Sequence, residues 1–228
     1  MTDNSDRFDL GRRPVLGGLA GVLATGAAGS VAAGGDDHHE SNDATRDEPV
    51  DEPPEAVPDE FENDIAILNY ALTLEYLEAV FYTRGIRNID EAALEQLGPE
   101  EVPILNRLRV VRDHEITHAE TLAETIEALG GDPVPSPEFD FGTAVRDPAE
   151  FVATAAALED IGVSAYAGAA PSIENAALIP PALSIHSVEA RHASYLRELS
   201  GEIGFPMAFD QPRSRSEVLE LASGFIVE

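Results

Sequence analysis

Four stretches of this chain read as amphipathic helices, and each places acidic or imidazole side chains in the stripe that a bundle would bury. They recur as two matching halves. The first half offers Glu75 and then Glu115-Ile116-Thr117-His118; the second offers Glu159 and then Glu189-Ala190-Arg191-His192. The order is Glu, ExxH, Glu, ExxH, and each lone Glu has a tyrosine seven residues on, Tyr82 and Tyr166. Four carboxylates buried without partners would cost many kcal/mol. A fold that buries them must therefore gather them around positive charge. Residues three apart on a helix are neighbours about 5–6 Å apart at Cβ, so one ExxH can give an oxygen and a nitrogen to the same metal ion. Four carboxylates also neutralise two divalent cations, which points to two metals rather than one.

The surrounding periodicity fixes where these residues sit. From Asp64 to Arg84, Ile65, Leu68, Leu72, Glu75, Ala79 and Tyr82 fall at steps of three and four along one helical face. Asn63 or Asp64 suits the N-cap, and the segment is roughly 30 Å long at 1.5 Å per residue. Glu78 falls on an adjacent face beside Leu74 and Phe81, a weaker candidate whose loss should matter little. A second helix is expected from about Pro99 to Leu129, stopped by Gly130-Gly131, with Ile104, Leu108, Val111, Glu115, His118, Leu122 and Ile126 in its stripe. Residues 132–146 contain three prolines and no period. Such a stretch reaches at most about 50 Å, more than a hairpin needs, so it reads as a long crossover. A third helix starts at Asp147-Pro148 and runs to about Ala170, with Val152, Ala155, Glu159, Gly162 and Tyr166 aligned. The fourth runs from about Pro180-Pro181 to Leu199, with Leu183, His186, Glu189 and His192 in line, flanked by Ile185, Val188 and Leu196. The expected fold is all-α: an antiparallel four-helix bundle over residues 61–200, with the long crossover between helices two and three. The extension 201–228 holds one short helix at 216–222 and should pack on the bundle through Phe205, Met207, Phe209 and Phe225.

The ends and the composition narrow the setting. Residues 1–33 carry Arg12-Arg13-Pro14-Val15-Leu16 before an uncharged Ala/Gly-rich stretch, a pattern similar to a twin-arginine export signal. Residues 34–60 are Asp/Glu/Pro-rich and read as a disordered acidic linker, in which His38-His39 is a solvated pair. The chain has 43 Asp and Glu against 14 basic residues, all of them Arg, for a formal charge of −29. That surface repels phosphate backbones and excludes nucleic acid as a partner. It suits solubility in very high salt, so the composition looks halophilic. The absence of Cys excludes disulfides, thiolate metal sites, iron–sulfur clusters and cysteine nucleophiles.

Residues 64–200 resemble the ferritin-like superfamily, whose di-iron and di-manganese members use this ligand set. More narrowly, the chain is similar to exported single-domain ferritin-like proteins of the desiccation-related family. The resemblance rests on LTLEYLEAVFY, HEITHAETL, LEDIGVSAYAGAAP and SVEARHASYLREL, and extends to the tail from Phe205-Pro206 to Phe225-Ile226. It implies Glu75, Glu115, His118, Glu159, Glu189 and His192 as ligands to two iron, or alternatively manganese, ions. Tyr82 and Tyr166 would be hydrogen-bond donors behind them. Bacterioferritin-like members often have Asp before each ExxH; this chain has His114 and Val188 there.

Such a centre handles dioxygen or peroxide, so the expected activity is ferrous-iron oxidation or peroxide and oxidative-stress defence. The expected partners are metal ions, dioxygen or peroxide, and the twin-arginine translocase during export to the cell surface or beyond. Assembly into a homo-oligomer stays open. Two other readings compete. One is a non-enzymatic stress-protective or surface protein with a structural metal site. The other is a zinc metalloprotease, because His114-Glu115-Ile116-Thr117-His118 is a literal HExxH; against it, the repeated unit is ExxH and no edge strand is evident.

Overall fold

The computed structural model describes residues 53–99 and 102–227. The expected export signal, His38-His39 and the acidic linker before Pro53 lie outside the described residues. Among the described residues six α-helices follow in order: α1 Asp64–Asn88, α2 Glu91–Glu95, α3 Ile104–Ala128, α4 Pro148–Ala169, α5 Ile179–Leu199 and α6 Arg215–Ala222. Of these, α1, α3, α4 and α5 are the four long elements, and they form the expected all-α bundle. The two-residue strands β1 (Glu138–Phe139) and β2 (Ile226–Val227) pair antiparallel, Glu138 opposite Val227 and Phe139 opposite Ile226. That pairing ties the crossover to the chain's end. No helix of the described residues is long and apolar enough to cross a membrane.

Contacts along the helices set their directions. Early in α1, Asn69 donates to the Asp132 carbonyl beyond the end of α3, while Glu75 meets His118 further back. Tyr166 reaches Glu75 and Tyr82 reaches Glu159, so α1 and α4 are antiparallel as well. The chain therefore enters α4 at the end where it entered α3. The segment between them must span the bundle, as its length and prolines imply.

The helix ends follow local chemistry. Asn63 accepts from Ala66 N, and Asp147 accepts from Ala149 N and Glu150 N with Pro148 in the first turn. Gly130, at φ +81°, provides the left-handed stop after α3. The start of α3 departs from expectation: it begins at Ile104, not Pro99. Pro103 disfavours helical geometry at Val102, so no helix runs through from Pro99. Pro103 makes no side-chain cap. Instead the Glu95 carboxylate, carried on the unanticipated α2, accepts from Ile104 N and Leu105 N at 3.0 Å each.

One end of the bundle is filled by aromatic side chains. Phe81 stacks on Phe151 at 4.9 Å between centroids, and Tyr82 meets Phe151 edge-on; all three are fully buried. On the fourth helix Leu183, expected in the stripe, is 53% exposed, and the flanking Ile185 and Leu196 are buried with Ala193 beside Glu189 and His192. The C-terminal extension packs only in part. In α6, Val218 and Ala222 are buried, and Phe225 packs against the core. A Cβ on Gly168 would overlap the Arg213 carbonyl, so its absence lets this segment press onto α4, where Arg213 N donates to the Ser164 carbonyl. Phe205 is 78% exposed, and Met207 and Phe209 are also exposed, contrary to expectation. Glu60, assigned to the linker, accepts from Ser216 N and Oγ near the start of α6.

Candidate metal centre

All six residues of the repeated pattern are buried at mid-bundle. Glu75 comes from α1, Glu115 and His118 from α3, Glu159 from α4, and Glu189 and His192 from α5. Their ligand atoms form two groups, each with its atoms within 4.8 Å of one another: Glu75, Glu115, His118 and Glu189, and then Glu115, Glu159, Glu189 and His192. Glu115 and Glu189 belong to both. The repeat thus becomes a pseudo-symmetric pair of positions, each with one private Glu, one private His and two shared carboxylates.

The donor geometry fits cations. His118 Nδ1 faces Glu75 Oε2 at 3.2 Å, Glu115 Oε2 at 3.0 Å and Glu189 Oε1 at 3.1 Å. A single N–H cannot serve three oxygens, but a metal among one nitrogen and three oxygens can. His192 Nδ1 likewise faces Glu115 Oε1 at 2.9 Å and Glu159 Oε2 at 3.2 Å. Both oxygens of Glu189 and Oε1 of Glu115 are buried without an aligned hydrogen bond. Unfilled lone pairs on the two shared carboxylates are what bridging metal ions would occupy.

The private carboxylates are oriented reciprocally. Tyr82 of α1 donates to Glu159 Oε1, and Tyr166 of α4 donates to Glu75 Oε1, each at 2.5 Å. Burial and the adjacent carboxylates hold both phenols well above their ordinary pKa, so they remain donors.

The electrostatics favour extra protons when no cation is bound. Burial and the Glu189 charge push Glu115 up to about 7. Burial alone would lower both imidazoles, but their hydrogen bonds to the Glu115 carboxylate and its neighbours outweigh it, holding His118 at about 12 and His192 at about 10. All three pKa values are raised, so folded protein stripped of metal binds more protons than the unfolded chain. Glu115's contribution is complete below about 4.5 and lost as pH rises through about 7; those of the histidines are lost through about 10 and 12. Metal-stripped protein should therefore lose roughly 5–10 °C of Tm between pH 5 and 8 in a thermal scan. Metal-loaded protein should change much less, because bound cations replace those protons.

Two residues outside the repeated pattern border it. Glu78, on the face adjacent to the stripe, is nonetheless buried, only 3% exposed. It faces Gly162, where a Cβ would lie 3.2 Å from Glu78 Oε1 and 3.3 Å from Glu189 Oε2. Burial and the Glu189 charge push Glu78 well above the usual carboxylate range, favouring its neutral form. The available signal was the broken symmetry of Glu75-x-x-Glu78 against Glu159-x-x-Gly162. His114 is exposed, and its Nδ1 lies 2.9 Å from His192 Nε2. It belongs to neither ligand group, so the two imidazoles of HEITH do not converge on one metal as the protease reading requires.

A four-helix bundle with buried carboxylates and imidazoles at its middle is compatible with a helical metal-binding class. Residues 63–202 match the family model described as "Ferritin-like domain". The match covers more than half of the 228 residues, and the chain belongs to that ferritin-like family. Comparison with curated proteins finds no match. The buried cluster is compatible with a dimetal site.

Proposed function

We propose that the chain is an exported ferritin-like protein that binds two iron, or manganese, ions through Glu75, Glu115, His118, Glu159, Glu189 and His192. Its activity is ferrous-iron oxidation or peroxide removal in oxidative-stress defence. The observation that carries this reading is the sharing of Glu115 and Glu189 between two otherwise separate ligand groups. When bound, a pair of redox metals supplies two electrons to dioxygen or peroxide. The chain's own part is to hold the ions in a dry core, with Tyr82 and Tyr166 fixing the outer carboxylates. An apolar cavity of about 50 Å³, lined by Ala71, Leu74, Leu122, Ala165, Tyr166 and Ile185, reaches the centre through Tyr166, which donates to Glu75. Its size and apolar lining suit a small oxidant such as dioxygen. Export by the twin-arginine translocase and membership of the desiccation-related branch belong to the same proposal. They are supported by Arg12-Arg13 ahead of the Ala/Gly-rich stretch and by the motifs quoted above.

The test is anaerobic loading with ferrous iron followed by dioxygen or peroxide, monitored by ferric absorbance. Oxidation should outpace that in buffer, and Glu115→Ala should reduce it to the buffer rate. A protein that loads metal but turns over neither oxidant would instead support the structural-metal, stress-protective reading.

A further inference from the structure

The two halves of the centre are related by the repeat, yet their backing differs. Each imidazole turns Nδ1 toward the carboxylates. The far nitrogen of His192 meets His114 Nδ1 at 2.9 Å, and the rings stack at 5.2 Å between centroids with 16° between planes. Among the described residues, His118 makes its hydrogen bonds through Nδ1 alone. The reason is in the repeat. His114 immediately precedes Glu115, and the residue immediately preceding Glu189 is Val188, whose side chain neither donates nor accepts.

We propose that His114 is a positioning residue that makes the two metal positions unequal, with Glu159–His192 the tighter and first filled. A histidine can ligate through Nδ1 only with its lone pair there, which puts the proton on Nε2. His114 Nδ1 accepts that Nε2–H, holding the ring at the productive angle before a metal arrives and leaving Nδ1 as the nitrogen that gives up its proton when the metal binds. His114 itself is exposed, so its remaining N–H needs no protein partner. His118 must find the same angle unaided. Hydrogen-bond partners behind ligating histidines typically change metal affinity by about 10–100-fold.

This inference rests on the dimetal reading, and the test separates the two. Metal-stripped full-length protein is titrated with Co(II), with heat and visible absorbance followed together. Wild type should show two steps of unequal affinity. His114→Ala should weaken the tighter step about 10–100-fold and leave the weaker one in place. His114→Asp, which restores an acceptor, should recover much of the loss. Val188→Asp should tighten the weaker step, an effect that a merely structural role for residue 114 would not produce. His114 is exposed, so its variants should keep the wild-type Tm without metal. Unchanged steps in His114→Ala, or equal weakening of both without recovery by Asp, would overturn the inference while leaving two metals in place. No Co(II) uptake by wild type would instead remove the dimetal reading, and the inference with it.

Discussion

Glu115→Ala and Glu189→Ala should each abolish tight binding of both metal ions, whereas Glu75→Ala and Glu159→Ala should each spare one. The difference follows from the geometry: Glu115 and Glu189 contribute to both ligand groups, and Glu75 and Glu159 to one each. Removing a shared carboxylate takes an oxygen from each position at once and leaves a single carboxylate between the two cations. Removing a private one leaves the other position with its histidine and both shared carboxylates. His192→Ala should resemble Glu159→Ala. None of these changes should unfold the metal-free chain, because each removes a buried group that desolvation disfavours. An apolar truncation such as Leu72→Ala, at a fully buried position, should cost about 2–5 kcal/mol. Metal retained after desalting, measured with Tm for each variant, checks both halves of the prediction. Full metal content in Glu115→Ala would refute the shared-ligand assignment.

Metal should also be the largest single lever on stability. Five carboxylates, Glu75, Glu78, Glu115, Glu159 and Glu189, are buried close together, and their mutual repulsion opposes folding unless cations or protons intervene. A ligand present at a hundred times its Kd stabilises the folded state by about 2.7 kcal/mol. Two such sites give roughly 5 kcal/mol, or about 10–20 °C in Tm for a domain of this size. Chelation followed by a thermal scan should show that fall, and Fe(II) or Mn(II) should restore it under anaerobic conditions. In Glu189→Ala the same additions should move Tm little.

The bundle was legible because its buried stripes are long, and because the polar residues interrupting them repeat. Glu75 and Glu159 fall on the axis-facing side by helical period alone, and ExxH places its two ligands on one face. What escaped the reading depends on contacts between segments far apart in sequence. Glu95 caps α3 from another helix, so the proline at its start could not by itself show where capping comes from. Glu78 sits about 60° from the centre of the stripe by a period of 3.6 residues, and only the missing side chain of Gly162 makes room for it in the core. Phe205, Met207 and Phe209 were expected inside because aromatic and thioether side chains usually bury, yet apolar residues also make up much of a normal surface. His114 was visible as a departure from the family pattern, but its effect depends on the neighbouring α5.

The most direct measurement is metal content per chain, by elemental analysis of protein purified from a high-salt host without added metal. A dimetal centre predicts two iron or manganese ions per chain, both lost in Glu115→Ala. A metal-free wild-type protein that also refuses added Fe(II) and Mn(II), or a single zinc lost with His114→Ala, would contradict it.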